Sequence, residues 1–235
     1  MIALEPPLRE VHVAELGRMA YAAAWDLQTR LVAMRADHAI ADHLLLVEHD
    51  PVVTLGRKAD REVDLRPTET PVPTFEIERG GEATYHAPGQ LVGYPILLLE
   101  GPERDLHRLL RNLEEVLIRA IARFGVRGER RAKLTGVWVG DRKIASIGVA
   151  VRRWVTYHGF ALNVSTDLAG FRAIRPCGME PEVMTSLEVL LGHPVPWDDV
   201  VAEVTSQFGA VFGRSIVRSA GLPHESRGAL GIVTG

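Results

Sequence analysis

A chain of 235 residues, 46% apolar and 24% charged with a net charge of −3, is too apolar and too nearly neutral for intrinsic disorder, and it lacks the long basic run of a nucleic-acid surface. Its longest apolar run, residues 91–99, contains a Gly and a Pro and falls well short of the roughly 20 residues that span a membrane. One cysteine, Cys177, excludes an intramolecular disulfide framework and a Cys-rich zinc site. The N-terminus, interrupted by two prolines, shows no basic stretch followed by an apolar core, so no secretory signal is read and a cytoplasmic location is expected.

Residues 8–13 read as a strand and 18–34 as a helix with Tyr21, Trp25, Gln28, Leu31 and Val32 on one side. Aliphatic and β-branched runs at 43–48 and 52–55, divided by Asp50-Pro51, predict two strands. The charged, Pro-rich residues 57–74 read as a connecting loop. A strand at 75–78 leads into residues 79–90, read as one long Gly- and Pro-rich loop, and then into the apolar strand 91–99. The clearest element is a helix in which Leu106, Leu109, Leu110, Leu113, Leu117, Ala120, Ile121 and Phe124 recur at steps of three and four and stop at Gly125. Residues 136–139 and 143–151, either side of Gly140-Asp141-Arg142, predict a hairpin in which alternation groups Lys143 with Ala145, Ile147 and Val149. A strand at 155–162 precedes an aperiodic stretch, 167–185, that holds Cys177. A helix at 198–208 then turns Val200, Val201, Val204 and Phe208 inward. No repeat or linker divides the chain, so the expectation is one α+β domain over 1–214, with a largely antiparallel or mixed sheet and flanking helices, and a frayed tail at 215–235.

Arginine outnumbers lysine 24 to three, the lysines being Lys58, Lys133 and Lys143. Where Arg is the default cation, a retained Lys can mark chemistry that Arg cannot perform, because lysine can give up its proton. Three segments are candidates for function. A lone cysteine is most often a small buried hydrophobe, yet Cys177 stands between Pro176, which has no amide donor, and Gly178, which has no side chain, so a substrate can approach the sulfur. Lys143 opens a strand. On the solvent side it is an ordinary surface residue; turned inward and about 4 Å from a thiolate, it would favour that thiolate by up to about 4 kcal/mol. Residues 79–90 are either an elaborate strand connection or a binding loop whose amides hold a carbonyl or anion. No Walker phosphate loop, dinucleotide fingerprint or HExxH pattern is present, so no ATP, NAD or metal is expected. His38, His43 and His49 read as surface or strand residues. His86 and His158 adjoin Gly-containing strand ends, where structural and catalytic readings both stand.

Taken together, four groups of residues resemble the lipoyl(octanoyl) transferase family over residues 10–212. They are Arg79-Gly80-Gly81 with Thr84-Tyr85-His86 and Pro88-Gly89-Gln90; Gly136-Val137-Trp138-Val139 with Lys143-Ile144-Ala145-Ser146-Ile147-Gly148; His158-Gly159-Phe160-Ala161-Leu162-Asn163; and Pro176-Cys177-Gly178 with Thr185-Ser186-Leu187. Ala87 departs from the family pattern, which has glycine there. The resemblance implies a fold similar to the catalytic domain of biotin and lipoate protein ligases, with Cys177 as nucleophile and Lys143 as its activator. It implies an acyl site formed by Arg79, Gly80, Gly81, Glu82, Ala83, Thr84, Tyr85 and His86, by Ser146, Ile147 and Gly148, and by Gly159, Phe160 and Ala161. The implied donor is octanoyl-acyl carrier protein, and the acceptors are the lipoyl domains of 2-oxoacid dehydrogenase E2 subunits and glycine cleavage H protein, in lipoate biosynthesis. No cofactor, metal, nucleic acid or membrane is implied. Other readings are an ATP-dependent lipoate ligase of the same fold, a thioesterase or amidase using Cys177 with His86 or His158 as base, and an acyl-protein binding module with an inert cysteine.

Overall fold

The computed structural model describes residues 9–68 and 71–218, with the backbone but not the side chain of Cys177. In chain order the elements are β1 (Arg9–Met19), α1 (Tyr21–Ala36), β2 (Asp42–His49), β3 (Val52–Leu55), α2 (Arg61–Asp64), β4 (Thr74–Glu76), β5 (Ala83–His86), β6 (Gln90–Ile96), α3 (Leu106–Ala122), β7 (Glu129–Arg131), β8 (Leu134–Val139), β9 (Arg142–Arg152), β10 (Val155–Asn163), α4 (Leu187–Leu191), α5 (Trp197–Phe212) and β11 (Arg214–Arg218). Eight strands form one sheet in the order β11-β1-β2-β6-β10-β9-β8-β7, and β4-β3-β5 form a smaller one. Pairing is parallel where β1 meets β11 and β2, and antiparallel from β2 to β7. The expected mixed, largely antiparallel sheet with flanking helices is what forms.

Helices α3 and α5 pack on one face of the large sheet and α1 on the other. Covered on both faces, the central strands β6 and β10 are buried at every residue, which is why they read as apolar runs. At the start of α3 Asp105 accepts a hydrogen bond from the Arg108 amide (3.1 Å), and Gly125, at φ +80°, follows its end. Leu109, Leu113, Val116, Leu117, Ala120 and Ile121 face inward between these limits. Helix α1 has no side-chain cap. Its packed Leu27 and Leu31 hold it on the sheet, and Arg35 Nε bonds Asp42 Oδ1 at 2.7 Å.

The structure corrects several boundaries. Strand β1 continues through an irregularity between Glu15 and Arg18 to Met19, so the helix begins at Tyr21; Leu8 lies outside the described residues. Residues 57–74 are not bare loop, because Asp60 caps the short α2, accepting from Glu62 N–H at 3.0 Å. Nor are residues 79–90 one loop: they contain β5, paired antiparallel with β3. His43 and His49 are buried within β2, whereas His38 is exposed. Residues 215–218 extend a sheet edge as β11 rather than starting a tail; residues 219–235 lie outside the described residues.

Candidate active site

A cavity of about 420 Å³ lies between the segment that leads into β5 and the strands β9 and β10. Lys143 lines it, and so does every residue of the expected acyl site except Tyr85. Alternation along β5 sends Tyr85 to the opposite face, where it meets Phe171 (ring centroids 5.4 Å apart) in a core with Val53, Leu55 and Met184. Tyr85 therefore belongs to the packing of the small sheet, not to the cavity wall. Several lining residues carried no sequence signal of their own, among them Ile77, Val92, Tyr94 and Leu134; they are ordinary strand residues until the topology brings them to one place.

Two of the expected segments are joined directly. Gly80 N–H donates to Val149 O at 3.0 Å. A Cβ on Gly148 would stand 2.7 Å from Gly80 O and 3.0 Å from Arg79 Cδ, so the strands approach this closely only with glycine there. Arg79 is buried, and its Nη2 donates to Thr54 O (2.8 Å) and Thr54 Oγ1 (3.0 Å), which builds the guanidinium into the wall. The turn 56–58 is laced to the same segment: the amides of Gly56, Arg57 and Lys58 donate to Glu82 O, Arg79 O and Gly81 O.

Lys143 points inward and is only 1% exposed. A shift of register between Val137 and Trp138 pairs Trp138 with Lys143, and Lys143 Nζ lies 5.7 Å from the Trp138 ring centroid. The stem passes over Gly136, where a Cβ would sit 2.7 Å from Lys143 Cε and where φ is +133°. Gly136 N–H in turn donates to the buried Glu114 Oε1 (3.2 Å). On the backbone side Lys143 O accepts from Thr185 N–H at 3.0 Å and Lys143 bridges Met184 in parallel. The chain that follows Cys177 is thus stitched alongside the start of β9. Pro176–Gly178 itself forms a single 3-10 turn against β5, with Gly178 at φ +69°.

A buried hydrogen-bond chain links the cavity to that segment. His86 Nδ1 bonds Gln90 Oε1 (2.7 Å), and since a carbonyl oxygen only accepts, Nδ1 carries the proton. Gln90 Nε2 donates to Asn163 Oδ1 (2.9 Å) and Tyr85 O (3.1 Å), and Asn163 Nδ2 donates to Thr185 O (2.9 Å). His86 is pushed down to about 3, first by burial and then by the neighbouring His49. His158 is also pushed down to about 3, by burial and then by the Arg79 guanidinium. It sits at φ +54°, and Gln28 Oε1 accepts from its N–H at 2.8 Å, which explains a buried glutamine on the inner face of α1. Both rings are neutral at pH 7.

The chain matches the lipoyl protein ligase A/B catalytic domain family over residues 20–209. It is 46% identical over 212 residues to the octanoyltransferase of Caldicellulosiruptor bescii, covering 88% of this chain and 93% of that protein. With the octanoyltransferase of Syntrophotalea carbinolica the identity is 51% over 198 residues, covering 84% and 92%. The fold is similar to that of the bipartite lipoate protein ligase of Thermoplasma acidophilum, with a TM-score of 0.71 and 17% identity, covering 93% of this chain and 89% of that one. Sequence likeness of this extent leads to one assignment: the chain belongs to the lipoyl protein ligase A/B catalytic domain family, on its octanoyltransferase branch.

Proposed function

We propose that this acyltransferase moves an octanoyl group from an acyl carrier protein thioester to the ε-amine of a lysine on a lipoyl domain, through an acyl-enzyme on Cys177. The observation that carries the reading is the buried Lys143 on the cavity wall, its backbone bonded to the segment just beyond Cys177. In the first half, the Cys177 thiolate, stabilised by the Lys143 ammonium, attacks the thioester carbonyl. The carbon–sulfur bond to the carrier breaks and Lys143 gives its proton to the departing thiol. In the second half, the acceptor amine attacks acyl-Cys177, the amide bond forms, the Cys177 thiolate leaves, and Lys143 recovers a proton from the amine. One thioester replaces another in the first half, so no ATP is consumed. The octanoyl tail packs against apolar wall residues such as Val92, Ile147 and Phe160, at about 0.8 kcal/mol per buried methylene.

An ATP-dependent ligase is the competing reading on this fold. Incubation with an octanoyl-carrier thioester and a lipoyl domain, without ATP, is expected to give octanoylated acceptor; product formed only from free octanoate with ATP would overturn the proposal. The thioesterase reading is disfavoured physically, because neutral His86 and His158, both held near 3, are weak bases.

A further inference from the structure

The cavity is lined by 27 of the 235 residues, and these include all three lysines of the chain but only one of its 24 arginines, Arg79. Arg79 is bonded into the wall and Lys143 is buried. Lys58 and Lys133 differ from both in being exposed, so they stand at the rim. Lys133 occupies the β7–β8 turn at φ +65°, a left-handed conformation that Gly or Asn usually takes. The backbone of Lys58 is fixed by its amide, which donates to Gly81 O at 3.1 Å. Of the arginines near it in sequence, Arg61 pairs with Glu76 and Arg66 with Glu180; among the described residues no carboxylate pairs with either rim lysine. Glu82 is the one acidic residue of the lining, and His86 and His158 are neutral. Four cations and one anion give the lining a charge of +3 in a chain whose net charge is −3.

We infer that Lys58 and Lys133 form a rim site for the phosphodiester of the phosphopantetheine arm that delivers the acyl group. The inference rests on the proposed carrier-thioester donor. A phosphodiester carries one negative charge on an otherwise neutral arm, so two rim ammonium groups can hold it while the acyl end passes inward toward Lys143. Lysine binds phosphate as a mobile point charge, whereas arginine forks onto it in a fixed geometry. An arm that must leave in every turnover is suited by the former, which accounts for lysine surviving at the rim of an arginine-rich protein. The test compares binding of two non-reactive octanoyl-amide analogues, one of phosphopantetheine capped as its methyl phosphodiester and one of pantetheine, by calorimetry at low salt. The wild type is expected to bind the phosphorylated analogue at least ten-fold more tightly, and Lys58→Gln/Lys133→Gln to bind both alike. A wild-type ratio near one, or a preference that survives in the double variant, overturns the site. Binding alone is read, so the result stands even if Cys177 forms no acyl-enzyme; failure of both analogues to bind overturns this inference, whereas absent acyl transfer with the ratio intact counts against the proposed reaction only.

Discussion

At Gly136 the absence of a side chain is a geometric condition on Lys143. A methyl group there would stand 2.7 Å from Lys143 Cε, and φ of +133° strains any L residue. Gly136→Ala is expected to cost about 1–3 kcal/mol of stability and to slow single-turnover acylation at least ten-fold by displacing the ammonium; unchanged acylation would separate Lys143 from the chemistry. The histidines make a second prediction. His86 and His158 fall from an ordinary 6.5 to about 3 in the folded state, so the unfolded chain binds more protons between these values. Stability is then fully present above pH 6.5 and declines as pH falls toward 3, at roughly 1 kcal/mol per pH unit for each histidine. Urea midpoints from pH 7.5 to 5 measure the slope. His158→Asn, which tolerates the left-handed backbone, is expected to reduce it; an unaltered slope would remove His158 from the account.

Elements are held in register around the cavity by the chain from His86 through Gln90 and Asn163 to Thr185. It ties β5, β6 and β10 to the segment that follows Cys177. Asn163→Ala leaves Thr185 O without its partner in a dry interior and Gln90 Nε2 with Tyr85 O alone, a loss of about 1–3 kcal/mol. The accompanying loosening is expected to lower the acylation rate about ten-fold with little change in KM, because the group lost does not line the cavity; stopped-flow acylation reads the split, and an effect on KM alone would contradict the positioning role. Local pattern made α3 legible, since its apolar period, its Asp105 cap and Gly125 all lie within one stretch. It could not reveal β5, four residues among glycines whose partner β3 comes before α2 and β4, or β11, whose partner is the opposite end of the chain. The glutamine at position 28 was legible as a helix residue, but not as the acceptor for a left-handed His158.

Across the whole molecule, two sheets and three main helices serve one arrangement: a covered mixed sheet offers β9 and β10 to the cavity, and the small sheet with the 79–82 segment closes over them. Residues of the recognised motifs were legible because they are contiguous. Their assembly was not, since strands distant in sequence form the wall, and residues such as Tyr94 and Leu134 acquire a role only there. The concentration of all three lysines at this one place gives a mildly acidic protein a cationic entrance, with Lys143 alone enclosed. Covalent transfer through Cys177 is read out by intact-protein mass after incubation with octanoyl-carrier protein without ATP, for the wild type and Cys177→Ala. One added octanoyl group is expected on the wild type, removed by hydroxylamine and absent from the variant; an unmodified wild type that still transfers octanoate, or an adduct persisting in the variant, would rule out the acyl-enzyme.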